Sequence, residues 1–179
     1  MNSSVKIILF ILIIAVFTAC KSTSKLHKQE HLTHKSSSEF YKIYSQKLGY
    51  DLEGSEEKKF VETVNAWLGV PYKYGGCSME GTDCSCFVSV FYKDVYGISL
   101  PRKSEDMQQQ TKTIQKAELK QGDLVFFKIE DVKISHVGIY ISKGHFVHST
   151  TSKGVMINSL DENYYKKYFH KAGRVNVKS

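Results

Sequence analysis

The chain has 179 residues, of which 41% are hydrophobic and 12% aromatic, so it has enough apolar material for one substantial core and is not generally disordered. Its formal charge of +7 suits nucleic acid, an anionic membrane or an acidic polymer. The only arginines among its 25 basic residues are Arg102 and Arg174, and neither lies in a basic cluster, which argues against a nucleic-acid partner. Its 4 cysteines are too few and too crowded for a disulfide framework.

Residues 1–19 are predicted to be a signal peptide of the lipoprotein type, cleaved before Cys20. An apolar run from Ile7 to Phe17 follows Lys6 and is shorter than the roughly 20 residues that a membrane span needs. The segment Phe17-Thr18-Ala19-Cys20 resembles a bacterial lipobox, which implies that Cys20 is acylated and becomes the mature N-terminus. The prediction is a cell-envelope protein anchored by lipid, on the outer membrane facing the periplasm. The alternative is ordinary cleavage with Cys20 unmodified.

Residues 20–38 form the predicted lipidated N-terminus and flexible tether, because they contain Lys, Ser, Thr and His with almost no apolar residue. His27, His31 and His34 recur at helical spacing, which permits a metal site on one face. The polar surroundings favour solvated linker histidines instead. The folded domain is predicted to cover residues 39–179.

Helical spacing of apolar residues predicts helices over residues 39–48, 55–68, 84–96 and 104–110. The third of these is the most informative. Asp83 is placed as its N-cap, and Gly97 supplies the stop signal. A thiol in the first turn lies beside unpaired amides and the positive end of the helix dipole, which should lower its pKa. Cys84 is therefore a candidate nucleophile.

Short segments rich in β-branched and aromatic residues follow, and they predict strands over residues 124–129, 135–142, 145–150, 155–158 and 174–177. Helices first and strands afterwards predict an α+β domain. The helix that begins at Cys84 is expected to pack across an antiparallel sheet.

A thiolate nucleophile needs a base that takes its proton and later protonates the leaving amine, and histidine has a suitable pKa. His136 opens one predicted strand, and His148 lies near the end of the next. A hairpin through Lys143-Gly144 would bring the two rings together at one end of the sheet. His148 would then hold the His136 ring in its working tautomer.

Many short segments match one known family in its order and at its spacings: residues 69–76, Asp83-Cys84-Ser85, Leu100-Pro101-Arg102, residues 122–127, 135–140 and 146–149, Gly154-Val155 and Gly173-Arg174-Val175. Over about Ala66 to Val175 the chain resembles the NlpC/P60 family of papain-like cell-wall peptidases. The resemblance implies a papain-like fold, with N-terminal helices and the nucleophile helix packed on an antiparallel sheet of about five to six strands.

The resemblance also implies roles for individual residues. Cys84 corresponds to the nucleophile, His136 to the general base and acid, and His148 to the third polar residue. Tyr72 corresponds to a tyrosine that borders the cleft and positions substrate, although a core aromatic is an alternative reading of this residue. The two neighbours of the nucleophile, Asp83 and Ser85, match positions lining the acyl-side pocket, and Asp83 also suits a helix cap. The amide of Cys84 should contribute to the oxyanion hole.

Cys86 departs from the family pattern, which usually has Gly or Ala at this position. It is expected to pack inward as a small hydrophobe. Pairing of Cys77 with Cys86 in an oxidising periplasm is an alternative. A zinc site built from Cys77, Cys84, Cys86 and a histidine is another, and it would occupy the nucleophile.

The leading functional prediction is a lipid-anchored cysteine endopeptidase that cuts peptidoglycan stem peptides between D-glutamate and a diamino acid through an acyl-enzyme. Peptidoglycan and the membrane are its predicted partners, and the protein is expected to be a monomer without metal or organic cofactor. The alternatives are a catalytically idle or regulatory wall-binding lipoprotein, and an amidase or acyltransferase on the same fold.

Overall fold

The computed structural model describes residues 36–129 and 132–175, and the chain divides into two units, Met1–Ile43 and Tyr44–Ser179. In the first unit, residues 36–43 are helical. The helical conformation thus includes residues 36–38, which the sequence places in the tether. The predicted signal peptide, Cys20 and the three histidines of the tether lie outside the described residues.

The second unit begins with helical residues 44–48 and contains four further α-helices and a short 3-10 helix. Their bounds are α1 Lys58–Trp67, α2 Cys84–Tyr96, α3 Ser104–Gln109, the 3-10 helix Lys116–Glu118 and α4 Asn163–Tyr168. Helix α2 ends as predicted, with Gly97 in the left-handed conformation at its C-cap. Phe60 and Trp67 of α1 pack edge-on against Phe91 and Phe87 of α2, with ring centroids 4.9 and 5.5 Å apart.

Helix α1 begins at Lys58, later than the predicted start at Ser55. The reason is the buried carboxylate of Glu56, which accepts hydrogen bonds from two backbone N–H groups of the preceding turn, each at 2.8 Å. It also accepts one from Ser142 Oγ at 2.6 Å. This long-range anchor holds the segment as a turn, and only the residues beyond it are free to enter the helix.

A small hairpin consists of β1 Cys77–Ser78 and β2 Gly81–Thr82. The six further strands are β3 Thr111–Ile114, β4 Leu124–Phe127, β5 His136–Tyr140, β6 His145–Thr150, β7 Gly154–Ser159 and β8 Phe169–Val175. They form a separate antiparallel sheet at the centre of the second unit, in the order β3-β8-β4-β5-β6-β7. The predicted α+β class and antiparallel sheet are confirmed.

The predicted hairpin between β5 and β6 is confirmed, and its turn residues Lys143 and Gly144 have φ values of 48° and 77°. Strand β3, helix α4, the small hairpin β1–β2 and the 3-10 helix have no corresponding prediction, and β8 begins at Phe169 rather than Arg174. The polar sequences of β3 and β8 give no clear strand signal. Strand β3 lies at the edge of the sheet, and β8 is held there by pairing with both β3 and β4.

Helix α2 packs against β5 and β6, which places its first residue beside the start of β5. A second cluster of buried side chains lies between the sheet and α4, and it consists of Val125, Phe127, Phe146, Leu160 and Tyr165. Within residues 36–129 and 132–175, every helix is too short or too polar to cross a membrane.

Candidate active site

A cavity of about 460 Å³ gathers four side chains that the sequence had singled out from distant positions. Cys84 comes from the first turn of α2, His136 from the start of β5 and His148 from β6. Tyr72 comes from the loop before the small hairpin. The tertiary structure therefore brings a thiol, two imidazoles and a phenol to one solvent-accessible space.

Cys84 is the free cysteine of the described residues and is partly exposed. Burial raises the pKa of its thiol above the ordinary value, although the neighbouring backbone N–H groups of Val137, Ser85 and Cys84 itself act in the opposite direction. The expected fall in pKa is therefore wrong for the resting protein. The donors at the helix terminus are present, but the loss of water around the sulfur outweighs them.

The backbone N–H of Val137 neighbours the sulfur at a place where strands β5 and β6 separate. The β5–β6 pairing covers Ile139 with Val147 and Tyr140 with Phe146, so the beginning of β5 lies beyond the paired part. Gly138 supports this arrangement, because a Cβ atom there would lie 2.7 Å from Phe146 and 3.2 Å from the Cβ of His148. A side chain at position 138 would therefore collide with Phe146 and crowd His148.

The two histidines are hydrogen-bonded to each other, with His136 Nε2 and His148 Nδ1 2.6 Å apart. His148 is fully buried and His136 partly exposed. Burial lowers the pKa of both rings, to about 4 for His148, and the neighbouring His148 lowers the pKa of His136 further. Both imidazoles are therefore neutral near pH 7, so each ring carries one N–H, and one of these two protons lies in the hydrogen bond between the rings.

The hydrogen-bonded chain continues beyond the residues that the sequence singled out. His148 Nε2 lies 2.9 Å from Asn158 Oδ1, on β7. The amide of Asn158 in turn donates to both carboxylate oxygens of Glu162, at 3.0 and 2.9 Å. No local pattern marks these two residues, since each is a single polar side chain near a strand end. Polar residues within two to four positions of a predicted strand end are common in this sequence, so Asn158 and Glu162 do not stand out among them.

A second cavity, of about 610 Å³, lies on another side of Cys84 and contains Asp83, Ser85 and Arg102. Asp83 caps α2 as predicted, accepting from Cys86 N at 2.8 Å. It also forms a two-pronged ion pair with Arg102, which the sequence did not assign to the site. Arg102 Nη1 further donates to Ser85 Oγ at 2.7 Å.

Asp83 and Ser85 are both buried, whereas the Arg102 guanidinium is half exposed. Burial alone would raise the pKa of Asp83, but hydrogen bonds from Arg102, Cys86 and Gly75 outweigh it and hold that pKa below its usual value. The Asp83 carboxylate is consequently charged and already engaged. A substrate group entering here can therefore contact the half-exposed guanidinium of Arg102.

Tyr72 lines both cavities and so separates them at the nucleophile. Burial raises the pKa of its phenol, and the nearby Cys84 adds to this effect. Its loop is tied to the sheet by hydrogen bonds of 2.8 Å from Gly69 N to Val155 O and from Val155 N to Val70 O. The phenol is therefore protonated and held next to the sulfur, where it can donate a hydrogen bond.

Cys77 and Cys86 form a disulfide with a Cα–Cα distance of 5.3 Å, tying the small hairpin to the first turn of α2. Cys86 is buried at 2% exposure, so it packs inward as expected and also pairs with Cys77. Both sulfurs are thereby removed from the alternative zinc site. Among the described residues, no cluster of three or more His, Cys, Asp or Glu side chains could hold a metal ion.

The NlpC/P60 family model matches residues 69–174, more than half of the chain. The chain belongs to the NlpC/P60 family. The match runs from the loop of Tyr72 to the end of β8, so it includes all the residues of both cavities and also Asn158 and Glu162. Every element that forms the candidate site therefore lies within the NlpC/P60 domain.

Several curated NlpC/P60 proteins are similar to this chain. A probable endopeptidase NlpC homolog of Haemophilus influenzae is 40% identical over 119 residues, covering 66% of this chain and 63% of that protein. A murein DD-endopeptidase and LD-carboxypeptidase, MepS, of Escherichia coli K12 is 39% identical over the same length and coverage. A gamma-D-glutamyl-L-lysine dipeptidyl-peptidase of Bacillus subtilis is 39% identical over 110 residues, covering 60% of this chain and 37% of that protein. The alignments thus leave over a third of each relative unmatched.

Solved structures show the same fold. An NlpC/P60 family protein from Bacillus cereus superposes with a TM-score of 0.61 at 32% identity, covering 65% of this chain and 39% of that protein. An NlpC/p60 domain protein of Mycobacterium tuberculosis, described as non-catalytic and adapted to peptidoglycan binding, superposes with a TM-score of 0.54 at 20% identity, covering 66% of this chain and 95% of that chain. The latter likeness concerns the fold alone.

Proposed function

We propose that this protein is a cysteine peptidase that hydrolyses peptide bonds in the stem peptides of peptidoglycan. The observation that carries the proposal is the shared cavity of Cys84 and the hydrogen-bonded His136–His148 pair. A thiol next to an oriented imidazole is the arrangement that nucleophilic catalysis requires. The similarity to proteins named murein endopeptidases supports the choice of peptidoglycan as substrate.

The reaction begins with a neutral Cys84 thiol and a neutral His136 imidazole. Burial raises the pKa of the Cys84 thiol and lowers that of His136, so the proton stays on sulfur in the resting protein. As the sulfur attacks the carbonyl carbon of the substrate, its proton moves to His136 and the C=O electron pair moves to oxygen. Backbone N–H groups at the start of α2, the Cys84 amide among them, donate to the resulting oxyanion and stabilise it.

Collapse of the tetrahedral intermediate breaks the C–N bond, and His136 returns its proton to the leaving amine. The product on the enzyme is a thioester of Cys84. A water molecule then attacks the thioester and gives a proton to His136. The C–S bond breaks, the acid product leaves, and the proton returns to sulfur, which restores the starting state without any cofactor.

The scissile bond is proposed to lie between D-glutamate and the diamino acid of the stem. Among the relatives, one acts by its name on a gamma-D-glutamyl-L-lysine bond, and another is named a DD-endopeptidase. The accessible cation Arg102 in the second cavity and the net charge of +7 suit the carboxylates of stem peptides and the anionic wall. Tyr72, Asp83 and Ser85 are proposed to contact the acyl side of the substrate.

The proposed protein is a lipoprotein of the cell envelope. Residues 1–19 act as the signal peptide, Cys20 carries the lipid, residues 20–38 form the tether and residues 39–179 the catalytic domain. The support is the short apolar run followed by Phe17-Thr18-Ala19-Cys20. Mass spectrometry of the protein from a bacterial envelope should find diacylglycerol on Cys20, and an unmodified Cys20 would contradict this part.

Digestion of purified sacculi tests the proposed reaction. The full chain, purified in detergent, should release muropeptides, and Cys84→Ala should abolish the release while retaining the Cys77–Cys86 disulfide and the circular dichroism spectrum of the parent. Equal release by Cys84→Ala would overturn the thiol mechanism. Mass analysis of the new termini identifies the bond, and binding to sacculi without cleavage by the parent would favour the idle wall-binding alternative. Transfer of the acyl group to an added amine would favour the acyltransferase alternative.

A further inference from the structure

The hydrogen bonds that leave the two histidines end on a carboxylate. Glu162 accepts from Asn158, Asn158 faces His148, and His148 faces His136. Glu162 lies at the N-cap of α4, but its side chain makes no cap hydrogen bond there and turns back towards β7. Its Oε1 also accepts from the backbone N–H of Ser159 at 2.8 Å, which fixes the carboxylate in place.

This series of hydrogen bonds has a definite donor-to-acceptor direction, because a carboxylate can only accept hydrogen bonds. Both oxygens of Glu162 face Asn158 Nδ2, so the amide oxygen must face His148. His148 Nε2 therefore carries the proton and donates to that oxygen. In a neutral ring the other nitrogen is then an acceptor, so His148 Nδ1 receives the bond from His136 Nε2–H.

We propose that Glu162 and Asn158 are positioning residues that set the tautomers of both histidines and leave His136 Nδ1 unprotonated as the acceptor for the Cys84 proton. The inference rests on the proposed function for the roles of Cys84 and His136. Without the Glu162 carboxylate, the hydrogen bonds among Asn158, His148 and His136 can all run in the opposite direction. The reversed chain would put a proton on His136 Nδ1 and remove the base.

The surroundings of the chain fit this role. His148 is fully buried, so no water competes for its two nitrogens. Its ring packs against Phe146 and Tyr165, with centroids 4.6 and 5.1 Å away, and these contacts restrict rotation of the imidazole. The charge of Glu162 also raises the pKa of His148, so it favours positive charge on the ring that faces His136.

Replacement Glu162→Gln tests this proposal. The Ser159 N–H needs an acceptor, so it selects the oxygen of the Gln amide for the position that Oε1 occupies in the parent. The Gln oxygen takes the place of Oε1, which lies 3.0 Å from Asn158 Nδ2, and the Gln nitrogen takes the place of Oε2, which lies 2.9 Å from the same Nδ2. The shorter of the two contacts that hold the Asn158 amide thereby becomes a contact between two donors. Rotation of the Asn158 amide by half a turn relieves the conflict, and it presents a donor to His148 and inverts both tautomers.

A double replacement should restore the parent arrangement. In Asn158→Asp with Glu162→Gln, the carboxylate moves to position 158, accepts from the Gln amide on one oxygen and from His148 Nε2–H on the other. Asn158→Asp alone places two carboxylates in contact and should be poorly tolerated. The matched control is Asp161→Asn, since Asp161 is a neighbouring acid that pairs with Lys116 and lies outside the chain.

The tautomers are measured directly by ¹⁵N NMR of the histidine rings near pH 7, using the full chain in detergent micelles, with signals assigned from His136→Gln and His148→Gln. The parent and Asp161→Asn should have protonated Nε2 on both rings, Glu162→Gln should have protonated Nδ1, and the double variant should return to the parent pattern. Unchanged tautomers in Glu162→Gln would overturn the proposal. This readout needs no substrate, so it stands even if the proposed function fails.

Kinetics on sacculus fragments test the consequence. Glu162→Gln should lower kcat about ten-fold or more while KM changes by less than about two-fold, and the double variant should recover most of the loss. Alkylation of Cys84 by iodoacetamide, followed on its own peptide by mass spectrometry, should slow in parallel and also needs no substrate. Inverted tautomers with unchanged kcat and alkylation rate would overturn the proposed role. If Glu162→Gln fails to fold, parent tautomers in the double variant support the assignment and inverted ones refute it.

Discussion

Removal of the Cys77–Cys86 disulfide should destabilise the protein by an amount that follows from its position. The two cysteines are 9 residues apart in sequence. The chain-entropy relation for a loop of this size gives about 2.6 kcal/mol at 25 °C. At roughly 3 °C per kcal/mol for a protein of this size, the thermal midpoint should fall by about 8 °C.

Cys77→Ser is the cleanest variant because the Cys77 side chain is exposed, whereas Cys86 is buried and stays as a small hydrophobe. The assay is thermal unfolding by circular dichroism, with and without reductant. The parent should lose the same stability on reduction, and Cys77→Ser should lose no more. Cys84→Ala serves as the matched control, since it removes a cysteine outside the disulfide and should respond to reductant as the parent does.

Unfolding of Cys77→Ser within about 1 °C of the oxidised parent would contradict this prediction, because the link would then constrain the unfolded chain far less than its loop length requires. An equal loss of stability in Cys77→Ser and in the parent on addition of reductant would contradict it as well. Peptide mapping of the parent under non-reducing conditions should find residues 77 and 86 linked and Cys84 open to alkylation. A link that includes Cys84 would contradict the structure.

Three further outcomes follow from the structure. Because burial lowers the pKa of His136 and His148 from 6.5 and raises that of Cys84 from 9.0, kcat/KM should keep a plateau between these two values, and a plateau ending inside them would be contrary evidence. The pKa of Asp83 is lowered from 3.8, so the stability that it supplies is complete above that pH and is lost as the pH falls further. Urea unfolding of Asp83→Asn should therefore show a smaller decline than the parent between about pH 4 and pH 2, and parallel curves would count against this role. Gly154→Ala should cost about 3 kcal/mol or more in urea unfolding, because φ is 70° and a Cβ would lie 2.1 Å from Val70 O. The control Gly144→Ala has φ 77° but no atom nearer than 3.7 Å and should cost only about 1–2 kcal/mol, so equal losses would refute the steric argument.

The parts of the fold that could be predicted are those whose causes are local. The start of α2 depends on Asp83 accepting from the N–H three residues later, and its end depends on a glycine at the C-cap. The β5–β6 hairpin likewise depends on the two residues of its turn. The start of α1 could not be predicted because Glu56 is anchored by Ser142, which is 86 residues away.

The candidate site also contains residues that could be predicted from the sequence and residues that could not. Its thiol and histidines could be predicted because few side chains can serve as a nucleophile or a base near neutral pH. The partners of those groups could not. Arg102 became part of the site by pairing with Asp83, and Asn158 by lying opposite His148 on a neighbouring strand. Asparagine and arginine have many possible roles, so neither residue type indicates one.

The amino-acid sequence by itself determined which residues are able to do chemistry, where α2 begins, and that strands follow helices, because capping, periodicity and functional-group pKa act over a few residues. Only the tertiary structure decided how those groups behave. Burial reversed the expected pKa shift of Cys84, and the packing of β5, β6 and β7 joined the histidines to Asn158 and Glu162. Desolvation and hydrogen-bond direction depend on every neighbour in space, and the chain acquires those neighbours only when it folds.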